Sequence, residues 1–222
     1  MKTKKLSLSQ FSRLRLSCAA LVVLLRDRKG RFALTINNNR RLKGEFVLTP
    51  IGGALTVSPS GKEELKNLLG VKDLELENGS DLRLTISGHQ VQKFRHWFLK
   101  TKEREFCPQR ELKEELVEEL QLLTEEELET LTYQQVGYYT ELAPTTRRGQ
   151  EGKMTLRIAV IFELQMPAKI LKRLEKITAK QDSALRFVSA EEILDGVTSN
   201  GDKIGTIARS LLNYVPSLPQ FV

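Results

Sequence analysis

A chain of 222 residues can bury the core of one large domain, and its 40% hydrophobic and 28% charged content excludes disordered and fibrous classes. The net charge of +7, from 35 Lys and Arg against 28 Asp and Glu, suits a polyanionic ligand and leaves nucleotide, nucleic acid and anionic membrane open. Cys18 and Cys107 form neither a metal-binding spacing nor a disulfide framework, and the apolar run at residues 18–25 is far short of the ~20 residues a membrane span needs, so a cytoplasmic protein is expected.

Residues 1–12 read as a Lys-rich arm without periodicity. Residues 19–25, AALVVLL, are β-branched in the middle and run into the turn Asp27-Arg28-Lys29-Gly30. They read as a buried central strand, with residues 31–35 (RFALT) as the hairpin partner. The loop opening at Asn37 carries Arg40, Arg41 and Lys43. A third strand, residues 45–49, leads into Pro50-Ile51-Gly52-Gly53, where proline cannot donate to a ladder and the glycines allow a sharp turn or close approach to a ligand.

Residues 54–106 make a long excursion: a short helix at 62–69 capped by Ser60 and ended by Gly70, an edge strand at 81–87, and a helix at 89–101 capped by Ser87. In that last helix Val91, Phe94 and Phe98 form a stripe beside Trp97, suited to core packing or to base stacking. His89 and His96 lie two turns apart, too far to share a metal.

Residues 110–120, RELKEELVEEL, hold the densest carboxylates in the chain, on a helix whose first turn suits Pro108. Helical spacing puts Glu111, Glu115 and Glu118 on one face and Leu112, Leu116, Leu120 and Leu123 on another. The apolar stripe docks the helix; the acidic face is either solvated surface or a Mg²⁺ site. Thr124 and Glu127 have the pattern of a capping box. Strands at 134–142 and 154–165 flank a polar loop with Arg147, Arg148 and Lys153, which reads as a phosphate grip or a solvated hairpin tip. A helix at 168–179, a strand at 184–188, a helix capped by Ser189 and a last amphipathic helix from Lys203 to near Pro216 complete one α+β domain, 1–222, of mixed-sheet sandwich type.

The opening AALVVLLRDRKGRFAL, the strand ending in LTPIGGAL, the helix RELKEEL and the closing FVSAEEIL resemble a Nudix domain in order. The resemblance implies an α/β/α sandwich with a mixed central sheet, interrupted before the Nudix-box helix by an insertion at 54–106. It implies that Glu111 and Glu115 are Mg²⁺ ligands and that Glu115, Glu114 and Arg110 are catalytic, Arg110 orienting Glu114. The chain departs from the family's box at Lys102, where a Glu is expected, and at His96 and Val117, where glycines are expected. The stretch HQVQKFRHWFLKTKEREFCPQRELKEEL resembles the SMODS-associated Nudix domains of bacterial anti-phage systems. That resemblance implies a sensor for a nucleotide second messenger, often a cyclic oligonucleotide, with an effector or a nucleotidyltransferase as partner and a homo-oligomer as a further possibility.

Two main readings follow. As a receptor, the chain binds a nucleotide through Arg40, Arg41, Gly52, Gly53, Arg147, Arg148 and Lys153, with no cofactor required. As an enzyme, it uses Mg²⁺ to hydrolyse a nucleoside diphosphate-linked substrate. A third reading is a scaffold whose acidic helix binds a basic partner.

Overall fold

The computed structural model describes residues 8–18, 21–37, 44–70, 80–145, 150–178 and 183–221. Its strands, in chain order, are β1 (Leu14–Ser17), β2 (Leu21–Leu24), β3 (Phe32–Ile36), β4 (Val47–Thr49), β5 (Arg83–Ile86), β6 (Thr132–Pro144), β7 (Met154–Gln165), β8 (Leu185–Val188) and β9 (Lys203–Ile204). Its helices are α1 (Pro59–Leu69), α2 (Val91–Lys100), α3 (Gln109–Leu112, continuing as a π turn over Lys113–Glu119), α4 (Glu125–Glu129), α5 (Ala168–Thr178) and α6 (Ala190–Asp195). No helix among the described residues is long and apolar enough to cross a membrane.

The strands divide between two mixed sheets. In the first, β7 is the spine: β6 pairs antiparallel along its whole length, so β1 and β2 lie end to end, both parallel, on its other edge. β5 extends this sheet antiparallel to β1, as an edge strand should. The second sheet has the order β8-β3-β4-β9, with β4 and β9 parallel. The expected hairpin between residues 19–25 and 31–35 exists only beside its turn, where Arg26 bridges Phe32 and Leu25 accepts from the Ala33 N–H at 2.9 Å. Beyond that point β2 turns to β7 and β3 to β8 and β4, because each strand gains a full ladder by parting from the other.

Capping chemistry sets the helix ends. Ser58, not Ser60, caps α1 by accepting from the Gly61 N–H at 3.0 Å, which leaves Pro59 at the first helical position, and Gly70 closes the helix at φ +65°. Thr124 and Glu127 exchange hydrogen bonds at 3.2 Å at the start of α4, and Ser189 and Glu192 exchange theirs at 2.8 and 3.2 Å at α6. The last amphipathic helix is absent: β9 and a 3₁₀ turn (Thr206–Leu211) replace it, since Gly205 donates to the Leu48 carbonyl at 2.8 Å and ties the segment to β4.

The cores explain why the acidic helix lies where it does. Phe94, Trp97 and Phe98 of α2 are buried with Leu14, Leu16, Leu156 and Ile158, so the aromatic stripe is core. Cys18 is buried there too. Leu112, Leu116 and Leu123 pack with Val23, Ile51 and Leu174 in a second cluster, which presses α3 against the end of β4. A third cluster joins Ala159 and Ile161 of β7 to Phe32, Leu34 and Leu48 of the second sheet.

Candidate functional site

Where β4 ends, Ile51 accepts from the Val23 N–H at 2.9 Å and holds the two sheets together, and the chain then turns through Gly52 at φ +132°. That conformation favours glycine. The Gly52 N–H donates to Glu115 Oε1 at 2.8 Å, and the Thr35 hydroxyl donates to Glu115 Oε2 at 2.9 Å. A Cβ on Gly53 would overlap the Glu111 carboxylate. Gly53→Ala is therefore expected to push Glu111 aside and remove any cation binding at this carboxylate, at a cost of about 1 kcal/mol in thermal unfolding. A metal-dependent melting shift identical to that of the unchanged protein would refute this.

Arg110 organises the acid side. Its Nε and Nη2 donate to Glu105 at 3.1 and 3.0 Å, its Nη1 to Glu114 at 3.0 and 3.1 Å, and its Nη2 to the Ala54 carbonyl at 2.9 Å. The same Nη2 lies 2.6 Å from Glu111 Oε1. The resemblance assigned Arg110 to Glu114 alone; the guanidinium in fact ties three carboxylates to the chain entering the cleft. This fork geometry is one a lysine cannot reproduce.

Gly52, Gly53, Arg110, Glu111, Glu114 and Glu115 line a cleft of about 320 Å³ with Thr35, Asn37, Thr49, Asp81, Arg83 and Glu119. Asp81, Glu111, Glu114, Glu115 and Glu119 face Arg83 and Arg110, so acid exceeds base. Burial pushes the Glu111 carboxyl up to about 7 against the pull of Arg110, and Glu114 adds to the rise. Burial likewise pushes Glu115 up to about 7, although Gly52 and Thr35 hold its anion and Glu111 and Glu119 oppose it. For Arg110 burial acts downward, but the bonds to Glu105 and Glu114 and the field of Glu111 raise it overall.

Glu111 and Glu115 offer hard oxygen donors whose negative charge costs more than it should, and a divalent cation would offset that cost. Among the described residues no group of three or more His, Cys, Asp or Glu side chains is arranged to hold a metal. Mg²⁺ bound to these two carboxylates would have to take its remaining ligands from water and a ligand's phosphate.

Of the residues singled out in the sequence, Gly52, Gly53, Arg110, Glu111, Glu114 and Glu115 meet in this cleft. Lys153 is exposed, just ahead of β7, and is not among the cleft-lining residues. Arg40, Arg41, Lys43, Arg147 and Arg148 lie outside the described residues. Glu119, not Glu118, joins the site. A π turn closes on the fifth residue, here from the Leu120 N–H to the Glu115 carbonyl at 3.0 Å, so the fourth residue onward stays over Glu115. Thr35 and Arg83 come from strands and Asp81 from the bridge to Thr56 just ahead of β5, and none had a signal beyond an ordinary alternating pattern.

An α+β domain of two mixed sheets, with an acidic helix laid against a Gly-Gly turn, is the setting of a Nudix domain. The family model described as SMODS-associated NUDIX domain matches residues 13–212, and the chain belongs to that family. Comparison with curated proteins and with solved structures gives no match.

Proposed function

We propose that this chain is a nucleotide-binding sensor of bacterial anti-phage defence whose cleft holds a phosphate of a nucleotide second messenger, a cyclic oligonucleotide in the favoured case, through Mg²⁺ shared by Glu111 and Glu115. One observation carries the reading: two carboxylates, Glu111 buried and Glu115 half-buried, both raised to about 7, sit in a cleft where acid already exceeds base. Such a cleft repels a bare phosphate. Mg²⁺, when bound, neutralises the pair and presents positive charge to the ligand. Arg110 keeps Glu111 and Glu114 in place, and Gly52 and Thr35 orient Glu115. The acid excess gives the receptor reading a use for Mg²⁺ that basic loops alone would not require. An effector or nucleotidyltransferase partner is part of the proposal, through the family's association.

A second reading is hydrolysis, favoured by Glu115 standing at about 7, where a general base works best near neutral pH. Water would add to a phosphorus of a nucleoside diphosphate-linked substrate, its proton passing to Glu115 as the bond to the leaving phosphate breaks. A melting screen of nucleotides and cyclic oligonucleotides, each with Mg²⁺ and with a chelator, followed by chromatography, separates the two. Intact ligand after a Mg²⁺-dependent shift supports the sensor; cleaved ligand supports the hydrolase; no shift with any ligand would sink both. Glu115→Gln is expected to abolish the Mg²⁺-dependent shift while the metal-free fold persists, because the amide oxygen still accepts from Gly52 and the Thr35 hydroxyl can rotate to accept from the amide nitrogen.

A further inference from the structure

Residues of β1, β5 and β7 alternate between two environments. Leu14, Leu16, Leu84, Leu156 and Ile158 enter the core beneath α2. Arg15, Ser17, Arg83, Thr85, Thr155 and Arg157 therefore share the opposite face. Register aligns them in rows: Arg83, Ser17, Arg157 and Glu141 lie side by side across β5, β1, β7 and β6, and Thr85, Arg15 and Thr155 form the next row. Neighbouring strands are about 4.8 Å apart, so the backbones of Arg83 and Arg157 stand roughly 10 Å apart with small Ser17 between them.

The second sheet packs on this face farther along β7, at Ala159 and Ile161. At the arginine end Arg83 and Arg157 keep 21% and 26% of their side chains exposed, while Arg15 and Ser17 are buried beneath. Arg83 also lines the acidic cleft, so the two places are continuous. Arg83 pairs with Asp81 at 3.1 Å and Arg157 with Glu141 at 2.7 Å. Like charges still crowd one another: burial and then Arg157 lower Arg15, and burial lowers Arg83 with Arg15 adding to the drop against the pull of Asp81. Two arginines flanking a serine in register, with a third arginine in the next row, carry the fork donors and hydroxyl that recognise a phosphate oxyanion once the arginines turn from Asp81 and Glu141.

We propose that the row Arg83, Ser17 and Arg157, backed by Arg15, binds a phosphate group without a metal ion and is the second phosphate position of a ligand whose first phosphate lies in the acidic cleft. The second half of this statement rests on the reading under Proposed function. It makes the ligand an oligonucleotide with at least two phosphates and ranks a dinucleotide above a mononucleotide.

The test is a melting and calorimetric series in chelator, at fixed ionic strength, with inorganic phosphate replacing chloride. Phosphate is expected to stabilise the unchanged protein and Glu111→Gln, and to lose that effect in Arg157→Gln and in Ser17→Asp. Ser17→Asp places a carboxylate between the arginines, so its own melting temperature should stay level or rise even if Arg157→Gln folds poorly. A phosphate effect of full size in Ser17→Asp is general salt stabilisation and overturns the site. With Mg²⁺ present, a dinucleotide should bind about tenfold more tightly than its mononucleotide, an advantage that Ser17→Asp removes. Metal-free phosphate binding that depends on Ser17 and Arg157, in a protein with no Mg²⁺-dependent nucleotide binding, would leave the row standing and remove the cleft reading instead. Equal affinity for dinucleotide and mononucleotide would overturn the link between the two positions.

Discussion

Arg110→Ala is expected to lower the melting temperature at pH 7.5 by roughly 5 °C, since the half-exposed guanidinium leaves two largely buried carboxylates without it, at about 1–3 kcal/mol, and a domain of this size loses about 2–4 °C per kcal/mol. The reason is what remains. Glu105 and Glu111 keep 12% and 8% of their side chains exposed, and both lose their guanidinium partner, as does the Ala54 carbonyl. Water can reach Glu114, which is 45% exposed, so its share of the loss is small. Arg110→Lys should recover only part of the difference, because an ammonium cannot serve the Glu105 and Glu114 carboxylates and the Ala54 carbonyl at once. At pH 4 Glu111, raised to about 7, is protonated, and the gap between variant and unchanged protein should shrink. A loss under about 2 °C at pH 7.5 would show that the carboxylates rehydrate freely and that Arg110 does not organise the cleft.

What the sequence revealed and what it hid divide along the range of the forces involved. The caps at Thr124 and Ser189 and the stop at Gly70 were legible because each is settled within a few residues. The apolar stripe Leu112, Leu116 and Leu123 was legible by its spacing, and it is buried. The division of strands into two sheets was hidden, since the turn after Asp27 predicts a hairpin whichever distant ladder each strand then joins. The 3₁₀ turn at Thr206–Leu211 was hidden for the same reason: its periodicity is helical, and only the tie from Gly205 to Leu48 overrides it.

The cleft shows the same boundary at finer scale. Gly52, Gly53, Arg110, Glu111, Glu114 and Glu115 could be named because two short motifs carry them. The π turn that brings Glu119 over Glu115 has no sequence rule, and an ideal helix made Glu118 as good a candidate. Asp81 and Arg83 reach the cleft only because β5 pairs with β1, so a strand inside the long excursion contributes the cleft's second arginine. The excursion therefore adds to the candidate site as well as to the core beneath α2.

Mg²⁺ affinity is expected to fall roughly a hundredfold between pH 8 and pH 6, because a metal must displace protons from its carboxylates and two groups at about 7 are each only about one-tenth ionised at pH 6. Without metal the sign reverses. Both carboxyls stand at about 7 in the fold against about 4.5 in an unfolded chain, so the native state holds more protons across that window and stability falls as pH rises through it. The carboxylates held low, such as Glu127 by the Arg173 side chain and Glu175 by the Arg28 side chain, act only below that window, where stability is lost as pH falls. Melting curves from pH 5 to 8 should thus decline in chelator and stay nearly level in saturating Mg²⁺, where both carboxylates are ionised in the metal-bound fold and in the unfolded chain over most of that range. The double variant Glu111→Gln with Glu115→Gln should flatten the chelator curve and remove the difference that Mg²⁺ makes. Calorimetry in buffers of different ionisation enthalpy should count protons released as Mg²⁺ binds at pH 7. No proton release, with affinity level from pH 6 to 8, would place the cation somewhere other than Glu111 and Glu115.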